Sequence, residues 1–135
     1  VIDDYAHHPT EVEATLRAAR QAFPEATLHA VFQPHLYTRT RDLAEDFGRA
    51  LLHADRALVT EIYASREQPI PGVTGKQVVS AARRAGHRNV EFCIDRGEAA
   101  MRLEGTVNDG DVILTLGAGD IYRLATELAA VEVVS

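Results

Sequence analysis

One cysteine, Cys93, is all this 135-residue chain contains, so no internal disulfide forms and a reducing cytoplasm is the expected setting. Basic residues are in deficit: 14 Lys and Arg face 20 Asp and Glu, a net charge of −6. That balance argues against non-specific binding to nucleic acid, which needs a basic face to replace counterions. No apolar run approaches the roughly 18 residues a membrane helix needs. The opening "VIDDYA" has neither the basic nor the apolar region of a secretion signal. There is no internal repeat and no low-complexity tract. Nothing matches G-x-x-x-x-G-K-[ST], so these residues hold no phosphate-cradling P-loop. The chain begins at Val1, already inside a strand-like run, and we expect it to be a piece of a longer protein.

What is present suits one globular domain over residues 1–135: 46% apolar and 25% charged residues can build a single core. The hydrophobic period switches five times between short β-rich runs and helical spacing. After "VID", the run T-E-V-E reads as a capping box, with Thr10 as cap and Glu13 reaching back. Val12, Leu16, Ala19 and Phe23 make one stripe, and Pro24 ends that helix. "TLHAVFQ" is the second strand and "PHLYTRT" reads as a loop before a helix burying Leu43, Phe47, Ala50 and Leu51. "RALVTEIY" is the third strand, followed by a Pro- and Gly-bearing loop over 64–73. Thr74 and Gln77 suggest a second capping box, and Gly86 closes the helix they open. "NVEFCI" is a strand. Asp95 and Glu98 then bracket the start of a helix carrying Ala99, Leu103 and Val107. "DVILTLGAG" is the last strand, and the final helix presents Ile121, Leu124, Ala125 and Leu128. Strands alternating with helices demand right-handed crossovers. The expected fold is α/β and Rossmann-like, a largely parallel sheet with helices on both faces.

In such a sheet the strand-to-helix loops open on the carboxyl edge, where ligands bind. Three of these loops are rich in functional groups: "DDYAHHP", "PHLYTRT" and "GAGD". Asp3 and Asp4 point to opposite faces of their strand, so one of them reaches the crevice. A carboxylate there can hold ribose hydroxyls or, equally, the backbone N–H groups of its own turn. Tyr5 can stack on a base or sit at the core rim with its hydroxyl wet. His7 and His8 diverge on an extended segment and do not chelate one ion together; adding His35 still leaves a zinc site short of a ligand. No metal site is assigned to this chain. His29, His53 and His87 read as strand, helix-surface and turn residues. In "PHLYTRT", a helix N-terminus beside the Arg39 fork suits an anion. The plainer reading makes Thr38 or Thr40 an N-cap and Arg41–Asp42 a solvated pair, leaving Arg39 unexplained. "GAGD" allows close backbone approach but lacks the third glycine of a dinucleotide fingerprint, and Asp120 reads as the cap of the last helix.

Four segments, "DDYAHHPTEV", "FQPHLYTRTRDL", "IYASREQPIPGVTG" and "DVILTLGAGDI", resemble the carboxy-terminal domain of the Mur ligases over nearly the whole chain. The first two are the specific ones. The family member that recycles murein peptides is similar at the first motif and differs at the second. The resemblance implies a three-domain enzyme in which one domain holds a UDP-sugar and a central P-loop domain holds ATP and Mg2+. The present domain closes over both. The implied reaction transfers phosphate from ATP to the carboxylate of UDP-N-acetylmuramate; the amine of L-alanine then attacks the acyl phosphate. Closure would exclude the water that hydrolyses such an intermediate. Carried over residue by residue, the resemblance puts Asp4 at the ATP ribose, with Tyr5 and His7 on the adenine side. His35 and Arg39 fall where the family meets a substrate carboxylate, and Gly117, Ala118, Gly119 and Asp120 border that substrate. Leu36 stands where relatives often have arginine, so no second cationic contact is carried over at that position. No catalytic residue is assigned to these residues alone, and the chain by itself is expected to be inert.

Two other classes compete. A phosphorelay receiver needs Asp at the end of its third strand and Lys at the end of its fifth; here those strands end "VTEIY" and "LTLGAG". A free-standing nucleotide-binding or interaction module fits the same loops, and an upstream P-loop is what separates it from a ligase.

Overall fold

The computed structural model describes residues 1–134. Five strands, β1 (Ile2–Asp4), β2 (Leu28–Phe32), β3 (Arg56–Val59), β4 (Val90–Phe92) and β5 (Val112–Leu116), form one sheet in the order β1-β5-β2-β3-β4. All four pairings are parallel. Five helices connect or follow them: α1 (Pro9–Ala22), α2 (Tyr37–Ala50), α3 (Lys76–Arg84), α4 (Arg96–Thr106) and α5 (Tyr122–Val134). The expected α/β sheet with helices on both faces is therefore present.

Side-chain alternation divides the core in two. Leu28, Ala30, Phe32, Leu114 and Leu116 meet the stripes of α1, α2 and α3, with Leu16, Phe47 and Val78 fully buried. Val31 and Ile113 point the other way, to Ala99 and Leu103 of α4 and Leu124 of α5. β2 and β5 are buried at every residue, as central parallel strands covered on both faces must be.

Helix starts differ from expectation in instructive ways. α1 begins at Pro9, with His8 as its cap, and Glu11 rather than Glu13 reaches back to accept the His7 and His8 N–H groups. Proline at the first position costs nothing because its missing N–H would be unpaired there anyway. Glu13 instead meets Arg17 and His53. α2 begins within "PHLYTRT", so Tyr37 to Thr40 are helical rather than loop. Its cap is Leu36, held at φ 73°, ψ 135°, a region side-chain-bearing residues rarely adopt. The Leu36 N–H donates to the Tyr63 carbonyl, and the Leu36 carbonyl accepts both the N–H and the hydroxyl of Thr40. Neither Thr38 nor Thr40 is the cap. At α3, Thr74 Oγ1 accepts the Lys76 N–H, but Gln77 does not reach back; Glu61 accepts the Gly75 N–H instead. Gly86 follows α3 at φ 108°, and Asp95 caps α4 by accepting the Glu98 N–H, both as expected.

Candidate functional site

Strand order brings the three loops together. β5 lies between β1 and β2, so the segments after Asp4, Leu116 and Phe32 leave the carboxyl edge side by side. The Gly117 N–H donates to the Asp4 carbonyl at 3.1 Å, and the Gln33 N–H to the Leu116 carbonyl at 2.9 Å.

Asp4 is half-buried and already engaged. Its Oδ1 accepts the Ala6 N–H at 2.9 Å and its Oδ2 the Thr15 hydroxyl at 3.1 Å, tying the first loop to α1. Each oxygen keeps acceptor capacity beyond that one bond. Asp3 faces the other side and accepts the Thr115 hydroxyl at 2.6 Å. Tyr5 is 68% exposed, so its ring is free to stack on a ligand. His7 Nδ1–H donates to the Tyr5 carbonyl, which orients its ring 5.3 Å from that of Tyr5 and 6.1 Å from that of His35. His35 in turn stacks on Tyr63 at 5.8 Å. A row of rings, Tyr5–His7–His35–Tyr63, thus crosses the loops after β1, β2 and β3.

The surroundings of His35 favour its neutral form. Burial holds its pKa below the ordinary imidazole value, and the neighbouring Arg39 charge and His7 add to this. Arg39 Nη1–H points at His35 Nδ1 at 3.4 Å, one turn further along α2. The spare N–H groups expected at this helix N-terminus are filled. The Glu67 carboxylate accepts the N–H groups of Tyr37 and Thr38 and the Thr38 hydroxyl. Among the described residues, no group of three or more His, Cys, Asp or Glu side chains is disposed to hold a metal ion.

Gln33 is the residue that sequence reasoning missed. It is buried, its Nε2–H donates to Asp120 Oδ1 at 2.7 Å, and its Oε1 accepts the Ile121 N–H at 3.2 Å. One amide therefore clasps the "GAGD" turn from both sides. Asp120 spends its carboxylate on Gln33 rather than on the cap expected of it. Ala118 and Gly119 form the tip of that turn, and a Cβ on Gly119 would lie 2.5 Å from the Tyr63 ring. Gln33 and Glu67 both fall inside segments that attract attention as motifs, but their partners are 87 and 29 residues away. The site is an open edge: Gln33, Thr60, Tyr63 and Asp120 line a hollow of about 290 Å³ there.

Residues 1–119 match the domain described as "Mur ligase, glutamate ligase domain". The chain is 49% identical over 123 residues to a UDP-N-acetylmuramate–L-alanine ligase of Salinibacter ruber, covering 91% of this chain and 26% of that protein. Among solved structures, the UDP-N-acetylmuramate–alanine ligase of Thermotoga maritima superposes with a TM-score of 0.74 at 28% identity, over 94% of this chain and 25% of that one. A murein peptide ligase of Psychrobacter arcticus shares the fold with a TM-score of 0.75 at 18% identity, over 94% of this chain and 26% of that one. The chain spans about a quarter of the length of each of these. With its parallel sheet and its three motif loops side by side at one edge, this chain belongs to the Mur ligase family, as a carboxy-terminal domain of such a ligase.

Proposed function

We propose that this chain is the closing domain of a longer ATP-dependent ligase that joins L-alanine to UDP-N-acetylmuramate through an acyl phosphate. The observation that carries the reading is the juxtaposition of the loops after β1, β5 and β2 in a chain 49% identical over 123 residues to a UDP-N-acetylmuramate–L-alanine ligase. Asp4 accepts ribose hydroxyls with the acceptor capacity its turn leaves over. Tyr5 and His7 present ring faces to the base. Arg39 offers its fork to a substrate carboxylate, with His35 beside it as a hydrogen-bonding partner. The turn from Gly117 to Asp120, clasped by Gln33, forms the wall of that subsite.

ATP and Mg2+, held mainly by a central domain, supply the phosphoryl group and neutralise its charge. This chain's share is to bind, to orient and, on closing, to keep water from the activated carboxylate. By itself it should release no phosphate, because its residues include no P-loop. The reading places the protein in the bacterial cytoplasm; among the described residues no helix is long and apolar enough to cross a membrane.

The test is phosphate release by the full-length ligase with UDP-N-acetylmuramate, L-alanine and ATP. Asp4→Ala should raise the KM for ATP more than that for alanine, since losing a hydrogen bond to a charged acceptor costs roughly 1.5–3 kcal/mol. Unchanged ATP kinetics would leave Asp4 only its bonds to Ala6 and Thr15. Turnover that does not depend on both substrates would sink the ligase reading itself.

A further inference from the structure

A cavity lies at the opposite edge of the sheet from the motif loops. It holds about 360 Å³, within the range of small-molecule sites. Its floor is the amino ends of β2, β3 and β4, on the face covered by α4 and α5, and one wall is the last two turns of α4. Leu58 and Leu103 give it an apolar lining, and Met101, 72% exposed, stands at its rim as an adaptable apolar side chain.

Four arginines surround that lining: Arg56, Arg83, Arg88 and Arg102. In a chain of net charge −6 this is a local reversal of sign. Two of them are committed. Arg83 donates to the Val90 carbonyl at 3.0 Å, and Arg102 pairs with Glu91 and Glu98. Glu91 is the single carboxylate lining the cavity, and Arg102 neutralises it. Arg56 and Arg88 make no side-chain hydrogen bond and no ion pair within 4 Å among the described residues, although the Asp111 carboxylate, bonded to the lining residue His29, is near enough to Arg56 to feel its charge. Guanidinium groups match carboxylate or phosphate with paired N–H donors, and they also stack on flat rings.

The wall is open at one point. Gly105 lies inside α4, where glycine is a poor helix former, and a Cβ added there would meet nothing within 4 Å. Gly105 is exposed in the last turn of α4, so a side chain there would stand in open space at the rim of the cavity.

We propose that this cavity binds a small organic anion with a flat apolar body, its carboxylate or phosphate held by Arg56 and Arg88 and its body lying against Leu58 and Leu103. The proposal is independent of the ligase reading, since it uses no residue of the motif loops.

The test is a titration of the isotope-labelled 135-residue chain followed by amide NMR, with 2-naphthoate and 2-naphthyl phosphate as probes. Saturable shifts should appear at residues 56–58, 88–91 and 101–106 and not at 4–8, 35–39 or 117–120. Whichever probe binds more tightly assigns the anionic group. The double variant Arg56→Ala/Arg88→Ala should weaken binding about tenfold or more. Gly105→Leu should abolish it while keeping the dispersed spectrum of a folded chain, since leucine improves helix propensity and has room. Equal binding of uncharged 2-naphthol would overturn the role of the arginines. Equal binding of inorganic phosphate would overturn that of the apolar body. Absence of saturable shifts with either probe would overturn the site.

Discussion

Glu67 and Thr38 stand 29 residues apart and meet at the start of α2, where the Glu67 carboxylate accepts the Thr38 hydroxyl at 2.5 Å and the Thr38 N–H at 3.2 Å. The long loop after β3 thereby supplies the cap that Leu36, with no side-chain oxygen, does not. This contact holds the helix end that carries Arg39 beside the loop that carries Tyr63.

Removing that charge should show in the acid limb of stability. The Thr38 hydroxyl, followed by the two backbone N–H groups, holds the Glu67 carboxyl below its ordinary value of 4.5. A carboxyl lowered on folding contributes stability that is complete above 4.5 and is lost as pH falls through the lowered folded value. Glu67→Gln should lower Tm at neutral pH and flatten the fall of Tm with pH below 4.5. Thermal melts across that range decide it, and parallel curves for the two proteins would remove Glu67 from the acid response.

Gly119→Ala should destabilise the turn after β5. Its Cβ would stand 2.5 Å from Tyr63 Cγ and 2.6 Å from Gln33 Oε1, contacts that force one of them to move. Overpacking of this kind costs about 1–3 kcal/mol, measurable as a lower urea midpoint at unchanged m-value. A midpoint equal to wild type would mean that Tyr63 does not pack on this turn.

Arg39→Lys keeps the charge and loses the planar fork. In the full-length ligase it should raise the KM for L-alanine or for UDP-N-acetylmuramate, while the KM for ATP changes less. Wild-type values for both substrates would make Arg39 a surface cation whose only partner is His35.

Cys93 should be inert in the folded chain. It is fully buried beside Ala99 and Leu103, and burial pushes its thiol up to about 11, so little reactive thiolate exists at neutral pH. Reaction with a disulfide reagent should follow global unfolding and speed up with urea. Prompt labelling in native buffer would contradict this burial.

The period of the apolar residues was enough to determine the class of fold. Val12, Leu16 and Ala19 on one stripe, and five β-rich runs between such stripes, leave a chain few ways to bury its core other than a parallel sheet with helices on both faces. The motif loops were equally legible as strand-end segments, because strand-to-helix loops in such a sheet share one edge. Helix starts were less so. Local residues such as Thr10 and Thr40 looked like caps, but α1 starts earlier, at Pro9, with Glu11 accepting the N–H groups before it, and a remote carboxylate, Glu67, accepts those at the start of α2.

Strand order and everything that depends on it belonged to the tertiary structure. Inserting β5 between β1 and β2 sets Gly117 against Asp4 and lets Gln33 clasp a turn 87 residues further on. Hydrophobic period is a local property and says which face of an element is buried. It does not say which neighbour the element pairs with, because every strand here offers the same parallel ladder and an apolar face. That choice is made by how the helices pack at once, and it is what sets the three polar loops next to one another along their shared edge.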